Sequence, residues 1–341
     1  MTIILSLVVI GVLVFFHELG HFLAAKASGM LVQEFALGMG PTIFSITRGE
    51  TKYALRMLPV GGFLRVVGEE NEDGKELIPE SRRYDKKPVW MRMAFVAGGP
   101  IFNFVLAALI FAVMFVFIGV PSTQPIIGSV SPSWPAAEAG LKTGDRIDSI
   151  AGVPVKSWSD LQQVVSKNSD QPLLFVVNRE GAEHVITIIP KIDETSNRAM
   201  IGVSPHNVRY NVFRSLFLGA KEMVWFTGEI ISVLTGMLTG RTPAEGAGPI
   251  GMVVMVGQVA RTGIVNLLSF AAIISIQLGL FNLLPIPALD GSKLVFLTLE
   301  GLRGKPIDPE RENMVHFIGF VLLMALLIII TFKDLQRLNI F

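Results

Sequence analysis

Four stretches of the chain are apolar almost without interruption: Ile3 to Ala25, Ala94 to Gly119, Ile264 to Leu284 and Val315 to Phe332. Each approaches or exceeds the roughly 20 residues a helix needs to cross a bilayer core. Together they predict an α-helical integral membrane protein with about four transmembrane helices. The first run ends in Ala25-Lys26-Ala27, which mimics a signal-peptide cleavage site. It lacks a basic n-region and is too long for an h-region, so it reads as a retained span. Between the second and third runs the pattern changes to short alternating segments broken by Gly and Pro, the signature of strands and turns.

Composition sharpens this picture. Of the 341 residues 51% are hydrophobic and 17% charged, against about a quarter charged in ordinary soluble chains. A net charge of +1 gives no field that would draw the chain to nucleic acid. With Cys 0 there is neither a disulfide framework nor thiol chemistry. Lys and Arg crowd residues 26–92, from Lys26 and Arg48 to Lys87 and Arg92, while none precedes Ile3. By the positive-inside bias that loop is cytoplasmic and the N-terminus extracytoplasmic.

The chain divides into a first transmembrane helix (1–29), a β-rich region with a cytoplasmic loop (30–90), and a second transmembrane helix (91–121). A folded insert (122–206), interfacial amphipathic helices (207–263), and the third and fourth transmembrane helices (264–341) follow. In the insert, "AGLKTGDRI" reads as a glycine turn entering a strand. Ser157 and Asp160 form a capping box before "DLQQVVSK", and "PLLFVVNREGAEHVITII" is a hairpin. The insert resembles a circularly permuted PDZ domain, a fold that binds extended peptides by strand addition. The residues leave open whether it binds peptide or only restricts access. Lys221, Glu222 and Glu229 interrupt residues 213–240, which therefore read as an amphipathic helix at the interface.

Chemistry concentrates in "VLVFFHELGHFLAAK". His17 and His21 are four apart and share one helical face, so both imidazoles can reach one metal ion. Glu18 beside them is suited to hold and deprotonate an attacking water. An arbitrary chain of this length holds H-E-x-x-H only about once in a hundred, and ionisable groups inside an apolar helix are costly. A tetrahedral catalytic zinc needs a third protein ligand. The candidate is Asp290 in "LGLFNLLPIPALDGSKL", where Pro285 and Pro287 break the third span. Tracing the spans puts Asp290 on the same, cytoplasmic, side as the histidines, provided that residues 207–263 cross the bilayer zero or two times.

H-E-x-x-H in the first span, "NLLPIPALDG" in a later one and a PDZ-like insert together resemble the site-2 protease family, in particular the bacterial RseP-type intramembrane zinc metalloproteases. The resemblance implies that His17, His21 and Asp290 hold Zn2+ and that Glu18 is the catalytic base. It implies a role for Asn282 in holding substrate. It likens residues 30–68 to a membrane-associated β-hairpin region, whose "PVGGFLRVV", with Gly61, Gly62 and Phe63, presents an edge to unwound substrate. "GGPIFN" (Gly98 to Asn103) matches a further family motif, in which the glycines suit close helix packing and Asn103 suits packing or chemistry. Two features depart from the pattern: Ser292 follows Asp-Gly where a second glycine is common, and the chain has room for one PDZ domain where the RseP type has tandem ones.

The resulting expectation is a multi-pass protease of the bacterial inner membrane that hydrolyses peptide bonds in or near transmembrane segments. Its substrates would be single-pass membrane proteins, such as anti-sigma factors, or remnant signal peptides. Its other partners are the lipid bilayer and a peptide or substrate ectodomain at the PDZ domain, with no nucleic acid. The rival readings are a non-proteolytic membrane PDZ adaptor with a structural metal site and a metal-transport protein; both leave Glu18 without a task. His184 and His206 read as solvated, while His316 begins the last span near the cytoplasmic side, with a bland reading as the default and a part in the active region as the alternative.

Overall fold

The computed structural model describes residues 2–69, 78–193, 198–242 and 248–337. It begins with α1 (Thr2–Ala27), β1 (Val32–Arg48), β2 (Thr51–Val66) and α2 (Val89–Phe117). Short elements follow: β3 (Val120–Pro121), β4 (Ile127–Val130), α3 (Pro135–Glu138), β5 (Arg146–Ile150), β6 (Val153–Pro154), α4 (Trp158–Ser166), β7 (Leu173–Arg179) and β8 (Ala182–Ile188). Then come β9 (Lys191–Asp193), β10 (Arg198–Met200), β11 (Val203–Pro205) and β12 (Asn207–Val208). The chain closes with α5 (Val212–Leu238), α6 (Pro249–Arg261), α7 (Ile264–Leu283), α8 (Asp290–Arg303) and α9 (Pro309–Arg337). It divides into two compact units, Met1–Val113 with Ser215–Phe341, and Met114–Arg214.

In the first unit, α1, α2, α7 and the Glu310–Arg337 stretch of α9 are long and apolar enough to cross a membrane. In hydrocarbon a backbone can satisfy its polar groups only internally, which favours such runs as helices. The 27-residue α5 is continuous but is not among these four. Glycine and serine set the helix packing. A methyl on Gly20 would overlap the Gly98 carbonyl of α2, so these two backbones lie in contact. A methyl on Gly279 of α7 would stand 2.9 Å from Pro100 O of α2, and Ser275 Oγ donates to Asn103 O at 2.8 Å. The C-terminal halves of α1 and α7 thus meet the same N-terminal half of α2. At the other end, a methyl on Gly257 of α6, just before α7 begins, would collide with Thr2 of α1. Helices α1 and α7 therefore run the same way, and their ends, with His17, His21 and Asp290, fall at the same level.

The region read as a hairpin is a hairpin folded over on itself. Within β1, Glu34 to Leu37 pair with Gly62 to Arg65 on one side and with Lys52 to Leu55 on the other. Phe44 to Arg48 pair with Thr51 to Leu55. Two bent strands thus make a four-stranded sheet, with Gly62 to Val66 at one edge. Left-handed glycines at the bends, Gly38 (φ +90°), Gly40 (+86°) and Gly61 (+82°), make the reversal possible.

The second unit has a four-stranded sheet in the order β6-β5-β7-β8, with short pairs β3·β12, β4·β11 and β9·β10. Ile127, Leu141, Ile147, Phe175, Val177 and Ile188 form its core. Glu180 (φ +52°) and Gly181 (+88°) make the β7–β8 turn, as a tight hairpin requires. Ser157 and Asp160 form the expected capping box of α4. The unit reaches beyond residues 122–206 because Val120 and Pro121 pair with Val208 and Asn207. In the "GLKTGD" turn, Asp145 is 1% exposed. It takes two hydrogen bonds of 2.7 Å from Arg179 and one of 2.8 Å from Lys142 N–H.

Burial opposes the Asp145 charge, but the hydrogen bonds from Arg179 and Lys142 overcome it and hold its pKa below the ordinary value. A carboxylate depressed in the fold contributes stability above its unfolded pKa of about 3.9, lost as pH falls through the folded value. D145N should cost this unit about 2 kcal/mol at neutral pH. The gap between variant and parent should close on acidification below about pH 4. Hydrogen exchange of β5 and β7 peptides across that range checks both.

Candidate metal centre

Helix α1 carries His17 and His21 one turn apart, their rings crossed at 85° with centroids 4.8 Å apart. Their Nε2 atoms are 3.3 Å from each other. Asp290 Oδ2, from the first residue of α8, lies 3.3 Å from His17 Nε2 and 3.5 Å from His21 Nε2. Bonds of about 2.0–2.1 Å to a tetrahedral zinc put ligand atoms about 3.3 Å apart. The triangle therefore matches the base of such a site. The donor set, two imidazoles and a carboxylate, suits zinc. Asp290 Oδ2 is buried and takes no hydrogen bond, which leaves its lone pairs free for a cation.

The outer contacts orient the imidazoles. His21 Nδ1 lies 2.9 Å from the Phe95 carbonyl. A carbonyl only accepts, so Nδ1 carries the proton, and a neutral ring keeps Nε2 as a lone pair. His17 Nδ1 faces the Asn103 amide nitrogen at 3.1 Å, while Asn103 Oδ1 is buried without a partner. Turning that amide by half a turn would let Oδ1 accept Nδ1–H and free His17 Nε2 in the same way.

Closeness depends on glycine here as well. A methyl on Gly99 would overlap His21 Nε2 and stand 2.8 Å from His17 Cε1. One on Gly62 would collide with the Glu18 side chain. One on Gly291 would collide with the last carbonyls of α7, so Asp-Gly is what lets α8 start directly beside that helix. Pro285 and Pro287 end α7, and Asp290 enters at an N-terminus whose dipole favours a carboxylate.

A cavity of about 280 Å³ opens onto these groups, lined by His17, Glu18, His21, Asp290, Gly62 and Phe63, among others. Its wall includes the sheet edge, and Gly62 to Leu64 pair on one side only among the described residues. Gly61 lies outside the lining and faces Met39. Asn282 is half-buried in the last turn of α7, also outside the lining. The sequence reading missed Glu69 and Lys293, which line the same cavity and are paired at 2.9 Å. Lys293 follows Asp290 by three, a spacing that shares a helical face and could have flagged it. Burial works against its charge, but the Glu69 carboxylate keeps its pKa above the ordinary lysine value.

H-E-x-x-H and a converging carboxylate among membrane-length helices define an integral membrane metalloprotease. The family model for Peptidase family M50 matches residues 5–326, and the chain belongs to that family. It is a zinc metalloprotease of the site-2 type. It is 36% identical to the regulator of sigma-W protease RasP of Bacillus subtilis, covering 99% of each chain. It is 34% identical to a putative zinc metalloprotease of Clostridium acetobutylicum, covering 97% of this chain and 96% of that one. It is 32% identical to the probable protease eep of Enterococcus faecalis, covering 98% and 99%. Among solved structures, the PDZ domain of the SdrC-like protein of Listeria monocytogenes matches 25% of this chain and 90% of its own, at 22% identity and a TM-score of 0.23.

G99A should push both imidazoles off the triangle. Zinc bound by the purified protein should fall more than tenfold, while the protein still inserts in membranes. Metal analysis of detergent extracts measures this.

Proposed function

We propose that His17, His21 and Asp290 hold the zinc and that Glu18 is the general base for hydrolysis of a peptide bond in an unwound membrane segment. The observation that carries this reading is the triangle of ligand atoms with 3.3–3.5 Å sides beside Glu18 in one cavity. Zinc at these three atoms would polarise the scissile carbonyl and acidify the attacking water. Glu18 accepts the proton of that water and delivers it to the leaving amide nitrogen. A helix buries its carbonyls in its own hydrogen bonds, so the substrate must be extended. The edge from Gly62 to Leu64, with Phe63 in the cavity wall, offers main-chain partners to such a strand. Gly61 acts at the bend that begins this edge, and Asn282 at the end of α7 contacts the substrate where it leaves the site.

The lysine and arginine bias favours an extracytoplasmic N-terminus and PDZ-like unit, with the metal toward the cytoplasm of a bacterial inner membrane. The relative named regulator of sigma-W protease supports single-pass regulators such as anti-sigma factors as substrates. Remnant signal peptides share their chemistry. The PDZ-like unit takes a peptide or ectodomain of the substrate.

E18Q should lower cleavage of a single-pass test substrate by a hundredfold or more, about the contribution of a positioned base, with zinc content unchanged. Undiminished cleavage would remove Glu18 from the mechanism. N103L should weaken zinc binding by about tenfold to a hundredfold, as loss of a histidine's outer partner does. N103D, which can accept Nδ1–H, should stay near the parent; chelator competition reads both.

A further inference from the structure

The loop that delivers Asp290 has few hydrogen bonds of its own. Pro285 and Pro287 carry no N–H. Leu284 donates to Phe281 O at 3.1 Å, Ile286 to Leu284 O at 2.7 Å and Leu289 to Ile286 O at 3.1 Å. The Ala288 N–H donates outside the loop, to Nδ1 of His316 on α9, at 3.2 Å. Ala288 has φ +74°, a left-handed conformation that alanine keeps only where its surroundings impose it. One turn along α9, a methyl on Gly319 would overlap Pro287, so the helix backbone touches the loop there too. The His316 ring also lies 5.8 Å from that of Phe296 on α8. A single imidazole thus meets both the loop before Asp290 and the helix that Asp290 begins. It lies outside the catalytic cavity.

We propose that His316 is a positioning residue: by accepting the Ala288 N–H it holds the left-handed turn that aims the Asp290 carboxylate at His17 and His21. The role requires a neutral ring with its proton on Nε2, which leaves the Nδ1 lone pair toward the loop. Glu312 Oε1, 3.9 Å from Nε2, is the anion on that side. The His316 side chain is 20% exposed, so the geometry of the turn, set by a fixed acceptor on α9, is what its loss would remove. Without His316 the turn rearranges to find another, and Asp290 moves with it.

This inference rests on the assignment of Asp290 as a metal ligand, and the experiment separates the two. Zinc affinity is measured by chelator competition on the purified full-length protein for H316F, H316L, H316Q and D290A, and the ligand-field spectrum of each is recorded with cobalt in place of zinc. H316F and H316L, which lack an acceptor, should bind zinc about tenfold or more weakly, as loss of an outer-shell contact does, with an altered cobalt spectrum. H316Q, whose amide oxygen can accept the Ala288 N–H, should recover most of the affinity and the parent spectrum. Parent-like affinity in H316F and H316L, with D290A impaired, overturns the role of His316 and leaves the ligand assignment standing. Parent-like affinity in D290A overturns both. Should the acceptor-free variants fail to accumulate, hydrogen exchange at the Ala288 amide of the unaltered protein decides: protection supports the proposal, and exchange at the unprotected rate overturns it.

Discussion

Two imidazole nitrogens and a carboxylate oxygen facing one another at 3.3–3.5 Å form a cluster of lone pairs that a shared cation would stabilise in an apolar setting. The rest of the first unit serves this constraint. Helix α2 is the common surface on which α1 and α7 lie, and both are drawn in to backbone distance by Gly20, Gly98 and Gly279. A methyl at any of these positions would widen the spacing by more than the triangle tolerates. Helix packing in lipid gains little from hydrophobic burial, so small residues and a few polar contacts must supply it. Ser275, reaching the Asn103 carbonyl, adds one such contact beside the histidine that Asn103 faces.

The same economy of side chains links the metal centre to the sheet. Gly62 lies so close to Glu18 that no larger residue fits without displacing it. The open edge of the sheet and the glutamate therefore share one cavity wall. This juxtaposition answers the difficulty of cutting a helical segment. On the proposed reading, an extended strand along Gly62 to Leu64 would expose its carbonyls where the glutamate stands, whereas a helix would present only side chains. The Glu69–Lys293 pair connects the turn after that strand to α8, so the sheet is tied to the element that starts with Asp290.

What could be read from the sequence depended on periodicity and on local chemistry. Four-residue spacing put His17 and His21 on one face, unbroken apolarity marked four helices, and the capping box at Ser157 and Asp160 is a purely local pattern. The hydrogen-bond partners of the site were harder to read, because they depend on which helices touch. No period in the sequence brings Asn103 to His17 or His316 to Ala288. Yet Asn103 lies four residues after Gly99, and once Gly99 is known to touch the imidazoles the same face carries Asn103 toward them. The doubling of the sheet was illegible for another reason. It turns on left-handed glycines at positions 38, 40 and 61, and a glycine in a strand signals an irregularity without giving its direction.

Among the described residues, the contacts that bring His17, His21 and Asp290 together lie within Met1–Val113 and Ser215–Phe341. The β-rich unit has a separate core and a separate buried ion pair, Asp145 with Arg179. The alignment with the Bacillus subtilis protease runs over 416 positions against the 341 residues here, and that with the Clostridium acetobutylicum protein over 334. The two alignments differ in length by 82 positions, and each covers 97% or more of this chain. What the triangle of His17, His21 and Asp290 requires is that α1 and α7 keep their direction and their depth against α2.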